Sequence, residues 1–134
     1  MLDNQMFSLA KYRLDRAKET YLTAYENLES SRYLDANNRA YYSIFHSMRA
    51  ILALDDVDFK KHSGVISYFR ETYIKAGVFE NVYSDIISKA SVIRGKSDYE
   101  DFYVATKDEA QEQVNNAKLF YEVVEKYITS TQEQ

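Results

Sequence analysis

The chain contains no proline and only three glycines in 134 residues, so almost nothing in it interrupts a helix. A β-rich fold of this length would need many more turn formers. Apolar residues recur at the spacings of three and four that a helix face requires. Leu14, Ala17, Tyr21, Ala24 and Leu28 mark a first helix over about Phe7 to Leu28. A second, about Leu34 to Leu54, carries one stripe of Ala36, Ala40, Ile44, Met48, Ile51 and Leu52 and another of Tyr41 and Phe45, the pattern of a central helix with several neighbours. A shorter helix from about Ser63 to Lys75 stops at Gly77, suited to a left-handed cap. A fourth, about Asn81 to Arg94, buries Val82, Ile86, Ala90 and Ile93 and meets Gly95. Thr106 and Glu109 form a capping box for a fifth helix, whose stripe is Ala110, Val114, Ala117, Tyr121, Val124 and Ile128. Residues 129–134 are expected to fray. The fold class is therefore all-α, an up-and-down bundle of four to five helices, with residues 1–134 as one domain.

Composition narrows the chemistry. The absence of cysteine excludes disulfides, thiol catalysis and cysteine-ligated metals, and with two histidines imidazole chemistry is confined to His46 and His62. No segment has the length of apolar sequence needed to span a membrane, and the N-terminus lacks a signal-peptide core, so a cytoplasmic protein is expected. Residues 1–96 carry 14 basic and 12 acidic side chains, whereas residues 97–134 carry 3 and 9. An anion site therefore belongs away from the acidic last helix.

Three segments hold groups able to handle anions. In the second helix Arg39 and His46 lie seven residues apart, two turns and roughly 10 Å along one face, with Tyr42 and Ser43 between them. An arginine that grips phosphate beside an imidazole is the minimum set for metal-independent RNA cleavage. The bland alternative pairs Arg39 with a carboxylate and makes His46 a hydrogen-bonded residue of the semi-core. His62 follows Lys60 and Lys61 at a helix start, where phosphate would fit; alternatively Ser63 caps that helix and His62 shields the turn. Arg94 and Lys96 suit an anion, Asp98 can orient a neighbouring arginine or histidine, and Tyr99 is available in the loop for packing or modification. Their structural alternative is an Arg94–Asp98 ion pair that fastens the loop. A metal held by His46, His62 and Asp98 has no ligand spacing behind it, so neither metal nor cofactor is expected.

The strings NRAYYSIFHSMRAILAL, KKHSGVISYF and IRGKSDYEDF, in that order, strongly resemble the HEPN domains, in particular their small single-domain prokaryotic members, over about Lys11 to Tyr127. The resemblance implies a dimerising bundle of four to five helices, frequently paired with a small nucleotidyltransferase in a toxin–antitoxin-like system. It also implies kinship with metal-independent ribonucleases, whose motif is an arginine followed after four to six residues by a histidine. In toxins of this kind a tyrosine that can accept AMP lies two positions past the histidine. Here Arg94 matches that arginine, but Gly95 follows it, Tyr99 stands in the histidine's place and Asp101 in the tyrosine's. The motif's spacing recurs only as Arg39 to His46 on another helix.

The expectation is a HEPN-type binding and regulatory protein, partner of a small nucleotidyltransferase, with a groove for RNA or nucleotide lined by Arg39, Tyr42, His46, His62, Arg94 and Asp98, and with Tyr99 beside it. A ribonuclease toxin using His46 with Arg39 or Arg94 is the alternative from the enzyme class, and a purely structural dimer is the third. The 13 tyrosines and 7 phenylalanines exceed what one small core needs, so a homodimer is expected. Light scattering at micromolar concentration should return twice the chain mass of 15.7 kDa; the mass of one chain would overturn that expectation.

Overall fold

The computed structural model describes residues 4–132, all of whose regular structure is helical. Five helices follow one another: α1 Asn4–Glu29, α2 Tyr33–Leu54, α3 His62–Phe69, α4 Asn81–Tyr99 and α5 Lys107–Gln132. A π turn, Arg70–Ile74, continues α3.

Side-chain pairings fix the directions. Arg13 pairs with the Arg49 carbonyl and Ser43 with that of Ala17, so α1 and α2 run antiparallel. Tyr42 meets Arg94 and Asn38 meets Asp98, which makes α4 antiparallel to α2 as well. Lys18 with Glu125 and Tyr21 with Tyr121 give the same relation between α1 and α5. The topology is thus up-and-down, with α3 and its π turn bridging α2 to α4. On α1, Ala10, Ala17 and Ala24 repeat every seven residues and are all fully buried. Their small side chains let the backbones approach closely enough for Ser43 Oγ to reach a main-chain carbonyl of α1 at 2.8 Å. Fifteen of the 22 residues of α2 are buried, so α2 is the axis of the bundle.

Three helices end in one and the same way. After α1, Ser31 N–H donates to the Leu28 carbonyl and Arg32 N–H to that of Asn27; after α2, Asp56 bonds Ala53 and Val57 bonds Leu52; after the π turn, Gly77 bonds Ile74 and Val78 bonds Tyr73. These are Schellman closures, each with one residue in the left-handed region. Gly77 (φ 83°) fulfils the expectation from sequence, while Ser31 (φ 61°) and Asp56 (φ 56°) do the same work without a glycine.

The structure corrects several boundaries. α4 continues through Gly95 to Tyr99, because an Arg94–Asp98 ion pair one turn apart spans the glycine and Asn38 holds Asp98 from α2. Tyr99 therefore ends a helix and does not lie in a loop. Val82 is 52% exposed, and Ile87 takes the buried place on α4. On α5 the buried aromatic is Phe120, with Tyr121 at the edge. The capping box is half formed. Glu109 N–H donates to Thr106 Oγ1 at 3.2 Å, but the Glu109 carboxylate accepts from Asn37 Nδ2 at 3.4 Å and so ties α5 to α2. Ser63 caps nothing, since α3 starts one residue earlier with Lys61 at its N-cap. The expected fraying is not found over residues 129–132, where α5 continues to Gln132; residues 133–134 lie outside the described residues.

A non-glycine residue in the left-handed region costs about 1–2 kcal/mol. Ser31→Gly should therefore raise the unfolding free energy in urea by about 1 kcal/mol, and Gly77→Ala, whose added methyl meets nothing within 4 Å, should lower it by a similar amount. An unchanged midpoint in both variants would contradict these closures.

Candidate functional site: a cationic and aromatic cluster on the second helix

Because α2 is nearly encased, its polar side chains emerge only where neighbouring helices part, and they do so beside α4 and the start of α3. Tyr41 and Tyr42 stand edge to face at 5.1 Å between centroids. The Arg94 guanidinium lies 4.9 Å from the Tyr41 ring and 5.5 Å from that of Tyr42, and its Nη2 donates to the Tyr42 hydroxyl at 3.2 Å. Arg39 lies 5.2 Å from the same Tyr42 ring. These are cation–π distances, at which the ring face attracts the charge.

One carboxylate and one amide hold the arginines. Asp98 Oδ2 sits 3.2 Å from Arg94 Nε, a charge contact whose angle leaves that N–H without a hydrogen bond. Asp98 Oδ1 accepts from Asn38 Nδ2 at 3.3 Å, and Asn38 Oδ1 accepts from Arg39 Nε and Nη2 at 3.1 and 2.7 Å. Burial opposes the charge on Arg94, but Tyr42, Tyr41 and Asp98 outweigh it and hold the group above its ordinary pKa. Arg94 is therefore a compensated cation. Arg39, by contrast, has no carboxylate partner among the described residues.

The imidazoles occupy the other wall. His62 turns inward from the lysines that precede it: its Nδ1 lies 2.9 Å from the Tyr41 hydroxyl and its ring 4.0 Å from that of Phe45. Burial, then Arg94 and Arg49, depress its pKa. His46 lies 6.3 Å from Tyr42 and is 9% exposed. Burial, followed by the charges of Arg16, Arg49, Arg39 and Arg13, lowers its pKa to about 4, so the ring is neutral at pH 7.

The three sequence segments thus converge, with Tyr42 touching residues from all of them. Arg39, Tyr42, His46, His62, Arg94 and Asp98 lie together, whereas Tyr99 ends α4 with 78% of its surface exposed. The Arg94–Asp98 ion pair exists and is also part of the cluster. Arg39 pairs with an amide and not a carboxylate, and among the described residues His46 has no partner for the hydrogen bond expected of a semi-core histidine. Two members were not foreseen. Tyr41 had the look of a core aromatic, and Asn38 gave no signal beyond its place one residue before Arg39. A concavity of about 450 Å³ between residues 31–35 and 103–105 is separate from this cluster and gathers none of its ionisable groups.

The structure is thus a small all-α bundle whose central helix shares a partly buried cluster of arginines, tyrosines and histidines with α3 and α4. The chain matches the HEPN domain over residues 10–127, and it belongs to that family. Its relatives include two proteins of Methanocaldococcus jannaschii, each named "Putative toxin". One is 35% identical over 84% of this chain and 84% of its own length, the other 32% identical over 88% and 81%. A UPF0332 protein of Thermotoga maritima is 26% identical over 93% of this chain and 95% of its own. Among the described residues no helix is long and apolar enough to cross a membrane.

Both histidines hold a proton more weakly folded than unfolded, so the unfolded chain binds more protons at mildly acid pH. Stability should be complete above about pH 6.5 and fall as the pH drops towards 4, with His46 contributing on the order of 3 kcal/mol at most. Urea denaturation across this range should show that slope, and His46→Gln should flatten it. An equal slope in the variant would contradict the burial of a neutral His46.

Proposed function

We propose that this is a HEPN-type binding and regulatory protein, the helical partner of a small nucleotidyltransferase in a toxin–antitoxin-like pair, and that its groove receives RNA or a nucleotide. The observation that carries this reading is the gathering of Arg39, Tyr42, His62 and Arg94, from three distant segments, into one cluster around Tyr42. Bases stack on aromatic rings and phosphates seek guanidinium groups, so this combination fits a nucleotide better than a simple anion. The relatives named as toxins support the toxin–antitoxin setting. Arg39 is the free cation of the set, and Arg94 is the positioned one. A homodimer is part of the proposal; Val92, Tyr99 and Phe102, 57%, 78% and 97% exposed along and beyond the end of α4, supply apolar surface for it.

A ribonuclease remains the second reading because one observation favours it: His46 is held neutral at pH 7 and makes no hydrogen bond to a described residue, as suits a general base. Against it, Arg94 is occupied by Asp98 and Tyr42, and a proton affinity this low makes the protonated ring a scarce acid.

Fluorescence anisotropy with a short single-stranded RNA separates the readings. Binding without cleavage is expected, and Arg39→Ala should weaken it by ~1–3 kcal/mol with little change in melting temperature, because no buried carboxylate loses a partner. Cleavage of the RNA, abolished by His46→Ala in a folded protein, would establish the enzyme instead. Co-expression with a small nucleotidyltransferase encoded beside the gene should yield a stable complex; two proteins that elute separately would remove the partnership.

A further inference from the structure

α4 buries Ile86, Ile87, Ala90 and Ile93 in the bundle and turns a second stripe to solvent. Val82, Asp85, Lys89, Val92, Lys96 and Tyr99 are all exposed, and they follow one another at alternating steps of three and four. That is the spacing of a helix seam, along which one face meets a second helix over its whole length. Among the described residues nothing covers it. Its first half borders a concavity of about 230 Å³ shared with Glu112 and Leu119 of α5, and there the Lys89 ammonium pairs with Glu112.

The order of charges along the stripe says what fits it. Asp85 and Lys96 make no ion pair with a described residue. A copy of α4 laid antiparallel over the stripe, with a two-fold axis between Ala90 and Ser91, sets Asp85 against the partner's Lys96. The same register sets Val82 against the partner's Tyr99 and Lys89 against the partner's Val92. Every position of the stripe is then matched, and the two free charges meet their opposites. A parallel copy would instead oppose Asp85 to Asp85 and Lys89 to Lys89, which like charges disfavour. An antiparallel copy displaced by seven residues either way leaves Lys96 or Asp85 beyond the helical overlap.

We propose that this stripe receives the α4 helix of a second copy of the chain, antiparallel about a two-fold axis and closed by two Asp85–Lys96 ion pairs. The inference rests on the homodimer reading above and gives that dimer its surface and register. Lys89 keeps its ammonium on Glu112 and lays its methylene stem on the partner's Val92. The Tyr99 ring packs on the partner's Val82, beside which Leu119 adds apolar surface from α5. Pairing therefore covers a tyrosine that a single chain leaves open. Arg94, nine positions after Asp85, faces half a turn away from the seam, so the cluster around Tyr42 stays accessible to a ligand in each copy.

The test is sedimentation equilibrium of the full chain and its charge-reversed variants. Asp85→Lys should weaken the dimer about tenfold or more, because two ion pairs become two repulsions, and adding Lys96→Asp should restore it. Val92→Lys sets a lysine against the partner's Lys89 and should give a monomer whose far-ultraviolet spectrum is unchanged. In a mixture of isotope-labelled and unlabelled chains, a nuclear Overhauser contact should join the Tyr99 ring to the Val82 methyls. These lie roughly 25 Å apart along one helix and can meet only between copies. A monomeric parent overturns the seam together with the homodimer. A dimer that resists both Asp85→Lys and Val92→Lys overturns the seam and leaves the homodimer to another face. A dimer weakened by Asp85→Lys and not recovered by Lys96→Asp overturns the register. A chain that is monomeric alone, but loses a nucleotidyltransferase complex through Val92→Lys, gives the stripe to that partner and overturns the second copy as its occupant.

Discussion

Everything in this bundle depends on the burial of α2. With α1 and α4 antiparallel to it and α5 packed on a further side, the helix has few directions left in which a polar side chain can emerge. At about 25 cal/mol per Å² of apolar surface, residues such as Ile44, Met48, Ile51 and Leu52, each at most 1% exposed, fix its rotation firmly. That rotation then decides where Arg39, Tyr42 and His46 face. The groove is thus set by the hydrophobic side of the same helix that carries it, and the loops take little part.

Helix periodicity made most of the architecture legible. With α2 carrying apolar residues on more than one face, its central position follows from sequence alone, and the stripes of α1 and α5 lie within a residue or two of the observed ones. Terminations were harder to read. Ser31 and Asp56 adopt a conformation that sequence rules reserve for glycine, because two hydrogen-bonded closures and the packing behind them outweigh a local cost of about 1–2 kcal/mol. Gly95 misleads in the opposite sense, since contacts from Asn38 and Arg94 to Asp98 carry the helix across it. In both cases hydrogen bonds and ion pairs, some local and one from α2, override the preference of the single residue.

The candidate site divides in the same way. His46 and His62 were visible because the chain has only two histidines, and Arg39 and Arg94 because each stands in a segment with other polar groups suited to anions. Their partners were not. Asn38 bridges Asp98 to Arg39, and Tyr41 carries both Arg94 and His62, yet neither role has a sequence signature. Arg13 and Arg16, three apart on α1, carried no sequence signal, yet the charges of both depress the proton affinity of His46. Charge compensation, which separates Arg94, beside a carboxylate, from Arg39, held by an amide, likewise exists only in three dimensions.

The central claim is that residues from α2, α3 and α4 act as one ligand-binding surface. Its most direct measurement is an aromatic ¹H–¹³C spectrum of the labelled protein titrated with AMP. The account expects Tyr41, Tyr42 and His62 to shift together along a single binding curve, with Tyr21 and Tyr121 on the α1–α5 face unmoved. Shifts confined to the α1–α5 face, or separate curves for Tyr42 and His62, would contradict it.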